Sequence, residues 1–187
     1  MGRVSSSKKR FEGSKNKTMN KLKYIHFVGI KGVGMAPLAI IAKEAGIRVS
    51  GSDIKEQFIT DELLKRVGIT PLINFSKTHI TNPNLVITTG AHGGFDNVEV
   101  EEARNKKIKV ITQGEAVGLF MKGDIFGKSF TGISVTGTHG KTTTTAMIAT
   151  ILKENNLDPS YVVGTGNISS LGSSGHYGQG IYFVAEA

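Results

Sequence analysis

The sequence predicts an α/β protein built on parallel sheets, and three observations predict it. From Tyr24 onward short apolar runs alternate with helical stretches, the pattern of strands buried on both faces and joined by crossover helices. The first run, Tyr24-Ile-His-Phe-Val-Gly-Ile30, enters a turn with Gly29, Gly32 and Gly34. Much later a second run, Gly132-Ile-Ser-Val-Thr136, enters Gly137-Thr-His-Gly-Lys-Thr-Thr143 and then an apolar-striped stretch. Each is a strand, a glycine turn and a helix in succession.

Taken in order, the first turn leads into a helix over about residues 35 to 45, with Gly46 as its stop. A second strand covers residues 47 to 50 and ends at Gly51-Ser52-Asp53. Residues 61 to 67 read as a helix, 85 to 88 as a strand, 98 to 107 as a helix and 109 to 112 as a strand. Residues 21 to 122 therefore form a Rossmann-like parallel-sheet domain. After a short helix over residues 115 to 121, residues 122 to 128 have the composition of a connection, and a domain boundary is placed there. Residues 144 to 155 carry Met147, Ile148, Ile151 and Leu152 on one stripe, which predicts an amphipathic helix. Residues 160 to 163 and 181 to 184 are two further strands, separated by a stretch rich in Gly and Ser. Residues 123 to 187 thus read as the first part of a P-loop α/β ATPase domain.

Composition narrows the function. The chain has no cysteine, so disulfides, thiolate metal sites and a cysteine nucleophile are excluded. No apolar run approaches the roughly 20 residues that span a bilayer, so no membrane partner is expected. The net charge of +8 invites a nucleic-acid reading, but residues 1 to 20 hold six basic side chains against one acidic. Most of the basic character is therefore a polar, Ser- and Lys-rich tail, expected to be disordered, and no nucleic-acid partner is expected. The tail lacks the apolar core of a secretory signal; Met19 is a second candidate start. These features point to a cytoplasmic protein.

The chemistry sits in the two turns. A phosphate chain needs inward-pointing backbone N–H groups, a positive side chain and a hydroxyl for the bridging magnesium, and Gly137, Thr138, His139, Gly140, Lys141, Thr142 and Thr143 supply all three. Lys141 is assigned to the β and γ phosphates and Thr142 to magnesium. The spacing is shorter than the general Walker pattern, which places a first Gly where Val135 stands. In the first turn, Gly29, Gly32 and Gly34 let a backbone approach a pyrophosphate at a helix N-terminus. Lys31 either adds charge beside a diphosphate or is solvated. Asp53, at the end of the second strand, either accepts from a ribose hydroxyl or caps a turn. His26, His79, His92 and His176 have no metal-ligand spacing and read as structural; His139 shapes the loop or bonds substrate.

Val135-Thr-Gly-Thr-His-Gly-Lys-Thr-Thr-Thr-Thr145 is similar to the ATP loop of the Mur ligases, which use the shorter spacing. His26-Phe-Val-Gly-Ile-Lys-Gly-Val-Gly-Met35 resembles their UDP-binding loop, with Lys31 where that loop usually has Gly. Val49-Ser-Gly-Ser-Asp53, Asn156-Leu-Asp-Pro159 and Tyr182-Phe-Val-Ala-Glu-Ala187 resemble later family segments in the same order. Within the family the likeness is to the branch that adds L-alanine to UDP-N-acetylmuramate. The branch that attaches a preformed tripeptide to the same nucleotide shares both loops. The resemblance implies ATP, magnesium, UDP-N-acetylmuramate and L-alanine as partners, and an amide bond made through an acyl phosphate. It assigns Gly29, Lys31, Gly32, Gly34, Met35 and Asp53 to the UDP-sugar and Glu186, with Thr142, to magnesium. It also implies a C-terminal part, truncated or separately encoded, without which the 187-residue chain is expected to be an inactive binding fragment. A nicotinamide dehydrogenase would leave the second loop unexplained, and a P-loop kinase the first unit.

Overall fold

The computed structural model describes residues 22–186; the tail, Met19 and Ala187 lie outside the described residues. The apolar run after Lys23 forms β1 (Tyr24–Val28), with all five residues buried, as a central parallel strand requires. After it come α1 (Ala36–Glu44), β2 (Arg48–Asp53), α2 (Asp61–Arg66), β3 (Leu72–Ile73), β4 (Leu85–Thr88), α3 (Val98–Asn105), β5 (Lys109–Thr112) and α4 (Gln113–Lys122). The five strands form one parallel sheet in the order β3-β2-β1-β4-β5. A second sheet follows from β6 (Thr131–Val135), α5 (Lys141–Glu154), β7 (Ser160–Val162), β8 (Gly175–His176) and β9 (Tyr182–Glu186). Its order is β6-β9-β7-β8, parallel except for the β7 and β8 pair. The α/β parallel-sheet class expected from the sequence is the class observed.

The two sheets share one core. Residues Ala36–Ala42 of α1 are all buried, because α1 packs against β2 on one side and against β7 and β8 on the other. The approach at β8 is close enough that a Cβ on Gly175 would lie 2.6 Å from the Pro37 Cα. α4 likewise lies between β4 and β5 on one side and β6 and β9 on the other. Phe27, Ile30, Leu38, Phe120, Phe126 and Phe183 therefore belong to a single apolar cluster. The alternation of strand side chains is legible in β9: Phe183 and Ala185 enter this cluster, while Val184 joins Ala149, Tyr161 and Val163 under α5.

Several boundaries differ from expectation, each for a local reason. The second strand runs on through Gly51-Ser52-Asp53, because parallel pairing with Phe27 and Val28 continues there. α5 begins at Lys141 rather than near residue 144, since its first turn is polar and carries no apolar period. The two-residue strands β3 and β8 were not anticipated. Residues 122 to 128 do connect the sheets, but as a packed turn: Ile125 and Phe126 are buried in the shared core.

Candidate functional site

The winding of the first sheet reverses between β1 and β4, and ligands of open α/β sheets bind outside the carboxyl ends of the strands at such a point. The first glycine turn lies there. Gly29 has φ +80°, and a Cβ on it would fall 2.6 Å from Thr89 Cγ2, so only glycine fits without displacement. The N–H groups of Gly29 and Ile30 both donate to the Ser52 carbonyl, at 2.9 and 3.1 Å, which ties the turn to the end of β2. Gly32 and Gly34 have no left-handed φ; Gly34 lies against the Gln113 side chain. Met35, buried, precedes α1 without a side-chain cap, and the first turn of α1 has no acidic residue. That end of the helix is suited to an anion.

Asp53 is fully buried. Its Oδ2 accepts the N–H of Lys31 at 2.7 Å and its Oδ1 accepts the N–H of Ile54 at 2.8 Å. In this arrangement the carboxylate ties the glycine turn to the end of β2. Lys31 does not take the solvated alternative. It is 4% exposed, and its ammonium reaches residues 56 to 61. There it donates to the Glu56 carbonyl, lies 3.7 Å from Asp61 Oδ1 and sits 4.8 Å over the Phe58 ring. The charge at this position fastens a neighbouring segment.

The second turn follows β6 and is exposed from Thr136 through Gly140. Gly140, at φ +76°, precedes α5 without a side-chain cap, and the first turn of α5 has no acidic residue. The Lys141 ammonium folds back onto the Gly137 carbonyl at 2.8 Å, while Thr138, His139 and Thr143 are exposed. The parallel register of β6 and β9 sets Val135 opposite Glu186, so the end of β9 meets the start of the turn. Thr142 Oγ1 donates to Glu186 Oε2 at 2.8 Å, and Glu186 Oε1 accepts the N–H of Gly164. Among the described residues no group of three or more His, Asp or Glu side chains could hold a metal. One hydroxyl and one carboxylate beside a glycine turn and a helix N-terminus nevertheless suit magnesium, which takes one or two carboxylates, phosphates and waters.

Segments next to the two turns approach each other. Ile59, in the segment fastened by Lys31, lies against Gly166, two residues after the Gly164 that bonds Glu186.

Of the four histidines read as structural, three are tied into the fold. His26 and His79 both reach the buried Glu99, at 3.2 and 2.7 Å. Burial pushes the Glu99 carboxyl up, but hydrogen bonds from His26 and Ser52 and the charge of His26 outweigh it and leave the group below its ordinary range. His176 bridges Glu44 of α1 at 3.0 Å and Asp158 at 3.2 Å. The Glu44 hydrogen bond, opposed by burial, holds the imidazole above the usual histidine value. His92 is different: read as structural with the others, it stands at the mouth of the first turn, 3.5 Å from Asp53 Oδ1.

Residues 24–124 match the family described as "Mur ligase family, catalytic domain", and residues 135–179 match "Mur ligase middle domain". The UDP-N-acetylmuramate–L-alanine ligases of Desulfitobacterium hafniense and Methylococcus capsulatus are 41% and 40% identical to the chain. Those alignments cover 88% and 90% of this chain and 35% and 34% of the relatives. The chain spans about a third of the length of the curated relatives it matches. Among solved structures, the UDP-N-acetylmuramate-alanine ligase of Thermotoga maritima is similar with a TM-score of 0.74 at 33% identity, over 88% of this chain and 36% of that one. The UDP-N-acetylmuramate:L-alanyl-γ-D-glutamyl-meso-diaminopimelate ligase of Neisseria meningitides gives a TM-score of 0.72 at 29% identity, over 89% of this chain and 52% of that one.

Proposed function

The chain belongs to the Mur ligase family, and from that premise we propose that it carries the nucleotide-sugar and ATP loops of a ligase that joins L-alanine to UDP-N-acetylmuramate. Residues 21 to 122 form the nucleotide-sugar unit and residues 123 to 187 the beginning of the ATP unit, and the setting is the bacterial cytoplasm. The observation that carries the reading is the bond from Thr142 to Glu186. It sets a hydroxyl and a carboxylate beside an open helix N-terminus, the donor set that a magnesium-bound triphosphate requires.

In this reading the substrate carboxylate attacks the γ-phosphorus of ATP, giving an acyl phosphate and ADP. The amine of L-alanine then displaces phosphate to form the amide. Transfer of a phosphoryl group is mainly a matter of alignment and charge neutralisation. The backbone N–H groups at the start of α5 and the Lys141 ammonium, released from the Gly137 carbonyl, face the phosphates. Thr142 and Glu186 would hold magnesium, which would supply further positive charge to the transfer. Gly29, Gly32, Gly34 and Met35 shape the turn that receives the diphosphate of the sugar nucleotide, with Asp53 and Lys31 bracing it from behind. The tripeptide-adding branch remains the second reading, because a solved ligase of that kind is nearly as similar in fold; the higher identity to the L-alanine ligases favours the first.

The test is calorimetry on the 187-residue chain with ATP and magnesium, UDP-N-acetylmuramate and NAD. ATP and UDP-N-acetylmuramate should bind, and Lys141→Ala should weaken ATP at least tenfold with UDP-N-acetylmuramate unchanged. Binding of NAD in preference to UDP-N-acetylmuramate, or loss of both ligands on Lys141→Ala, would sink the reading.

A further inference from the structure

His92 follows β4 at the switch point, and its backbone and surroundings set it apart from the other histidines. Its backbone is left-handed, with φ +54°, a conformation that costs a non-glycine residue energy and persists only where the surroundings impose it. Here they do: the buried Asn97 donates its Nδ2 to the His92 carbonyl at 3.0 Å while its Oδ1 accepts from Glu99 N–H to begin α3. The imidazole is held in turn, with its centroid 5.2 Å from the Phe75 ring at an interplanar angle of 38°. Its Cδ2 lies 3.5 Å from the position that a Cβ on Gly29 would take. On the inner side Nε2 faces Asp53 Oδ1 at 3.5 Å, and among the described residues Nδ1 has no hydrogen-bond partner. The side chain is 24% exposed. A strained, braced and partly open imidazole thus stands over the glycine turn with one nitrogen uncommitted.

We propose that His92 is a ligand contact of this crevice, donating from Nδ1 to the diphosphate of the bound nucleotide sugar. The proposal rests on the nucleotide-sugar reading of the first turn and adds to it a residue that lies outside the glycine motif. The diphosphate is the part of the ligand concerned because the ring stands over Gly29, where the backbone lets phosphates approach. Nδ1 is the nitrogen turned from Asp53, and a ring N–H there donates to a phosphate oxygen. Hydrogen bonds to charged acceptors are the stronger kind.

Two variants separate ligand contact from folding, because glycine and asparagine both accept a left-handed backbone. His92→Gly and His92→Asn should keep or raise the melting temperature. With uridine diphosphate and uridine as probes in calorimetry of the 187-residue chain, both variants should bind uridine diphosphate about tenfold more weakly, as loss of one charge-assisted hydrogen bond predicts. Uridine should be unaffected. If His92→Gly melts lower than wild type, His92→Asn decides. Unchanged affinity for uridine diphosphate overturns the proposal while leaving the nucleotide-sugar reading in place, and an equal loss for both probes overturns it in favour of a nucleoside contact. Wild-type chain that fails to bind uridine diphosphate overturns both.

Discussion

Replacing Gly29 by alanine tests whether the first turn is fixed by conformation, by contact or by both. At φ +80° a Cβ costs roughly 1–2 kcal/mol, and the stiffer unfolded chain returns about 0.4–1 kcal/mol. The net conformational penalty is therefore about 1 kcal/mol. Gly46 provides the control, for it has φ +79° but no heavy atom within 4 Å of a Cβ, and Gly46→Ala should lose only that amount. At Gly29 the Cβ meets Thr89 Cγ2 at 2.6 Å, and such overpacking adds roughly 1–3 kcal/mol. Gly29→Ala should then lose about 2–4 kcal/mol in urea unfolding. The excess over Gly46→Ala belongs to one methyl group, so Thr89→Ser in the Gly29→Ala background should recover most of it. Wild type, Gly29→Ala, Thr89→Ser and the double variant form a thermodynamic cycle read from urea midpoints at constant slope. Equal losses at Gly29 and Gly46, or no recovery with Thr89→Ser, would refute the reasoning, because the methyl contact would then carry no energy.

Two further outcomes follow from the same geometry. Asp53→Asn keeps one acceptor but turns an amide N–H toward either Lys31 N–H or Ile54 N–H, leaving a buried donor unpaired; a loss of about 1–3 kcal/mol in urea unfolding is expected, and an undiminished midpoint would remove the bracing role. His176, whose folded pKa is raised by Glu44, contributes stability that is complete below the ordinary histidine range and is lost as pH rises through the higher folded value. The melting temperature should accordingly fall more steeply above about pH 6.5 in wild type than in His176→Gln, and parallel profiles would count against the bridge.

How far the sequence could be read follows from the reach of each interaction. Strands buried on both faces announce themselves as unbroken apolar runs, so β1, β4 and β9 were legible within a few residues. β3 and β8 were not, because two residues carry no period and their pairing is set by neighbours far along the chain, as Ser52 is for Leu72. The composition of the second turn announced Lys141 and Thr142. The meeting of Thr142 with Glu186, 44 residues on, depends on the β6 and β9 register, and Glu186 was chosen only through family resemblance. Lys31 resisted local reading for the same reason: the carbonyl, carboxylate and ring that capture it lie at residues 56 to 61. His92 left no mark, because a left-handed histidine held by Asn97 has no compositional signature.

Helix α1 serves as the wall of two rooms. An isolated amphipathic helix could be exchanged together with its own sheet, since its outer face is already made for water. α1 has no such face: Ala36 through Ala42 are all buried, and Pro37 is in van der Waals reach of β8. Cutting the chain between its two matched segments would leave a broad apolar strip bare on the first piece, a surface of the kind that drives self-association. The seam between the halves is therefore a surface and not a point in the sequence. Any recombination that trades one half for a homologue's must carry over residues 36 to 42 and their partners around Gly175 as a matched set.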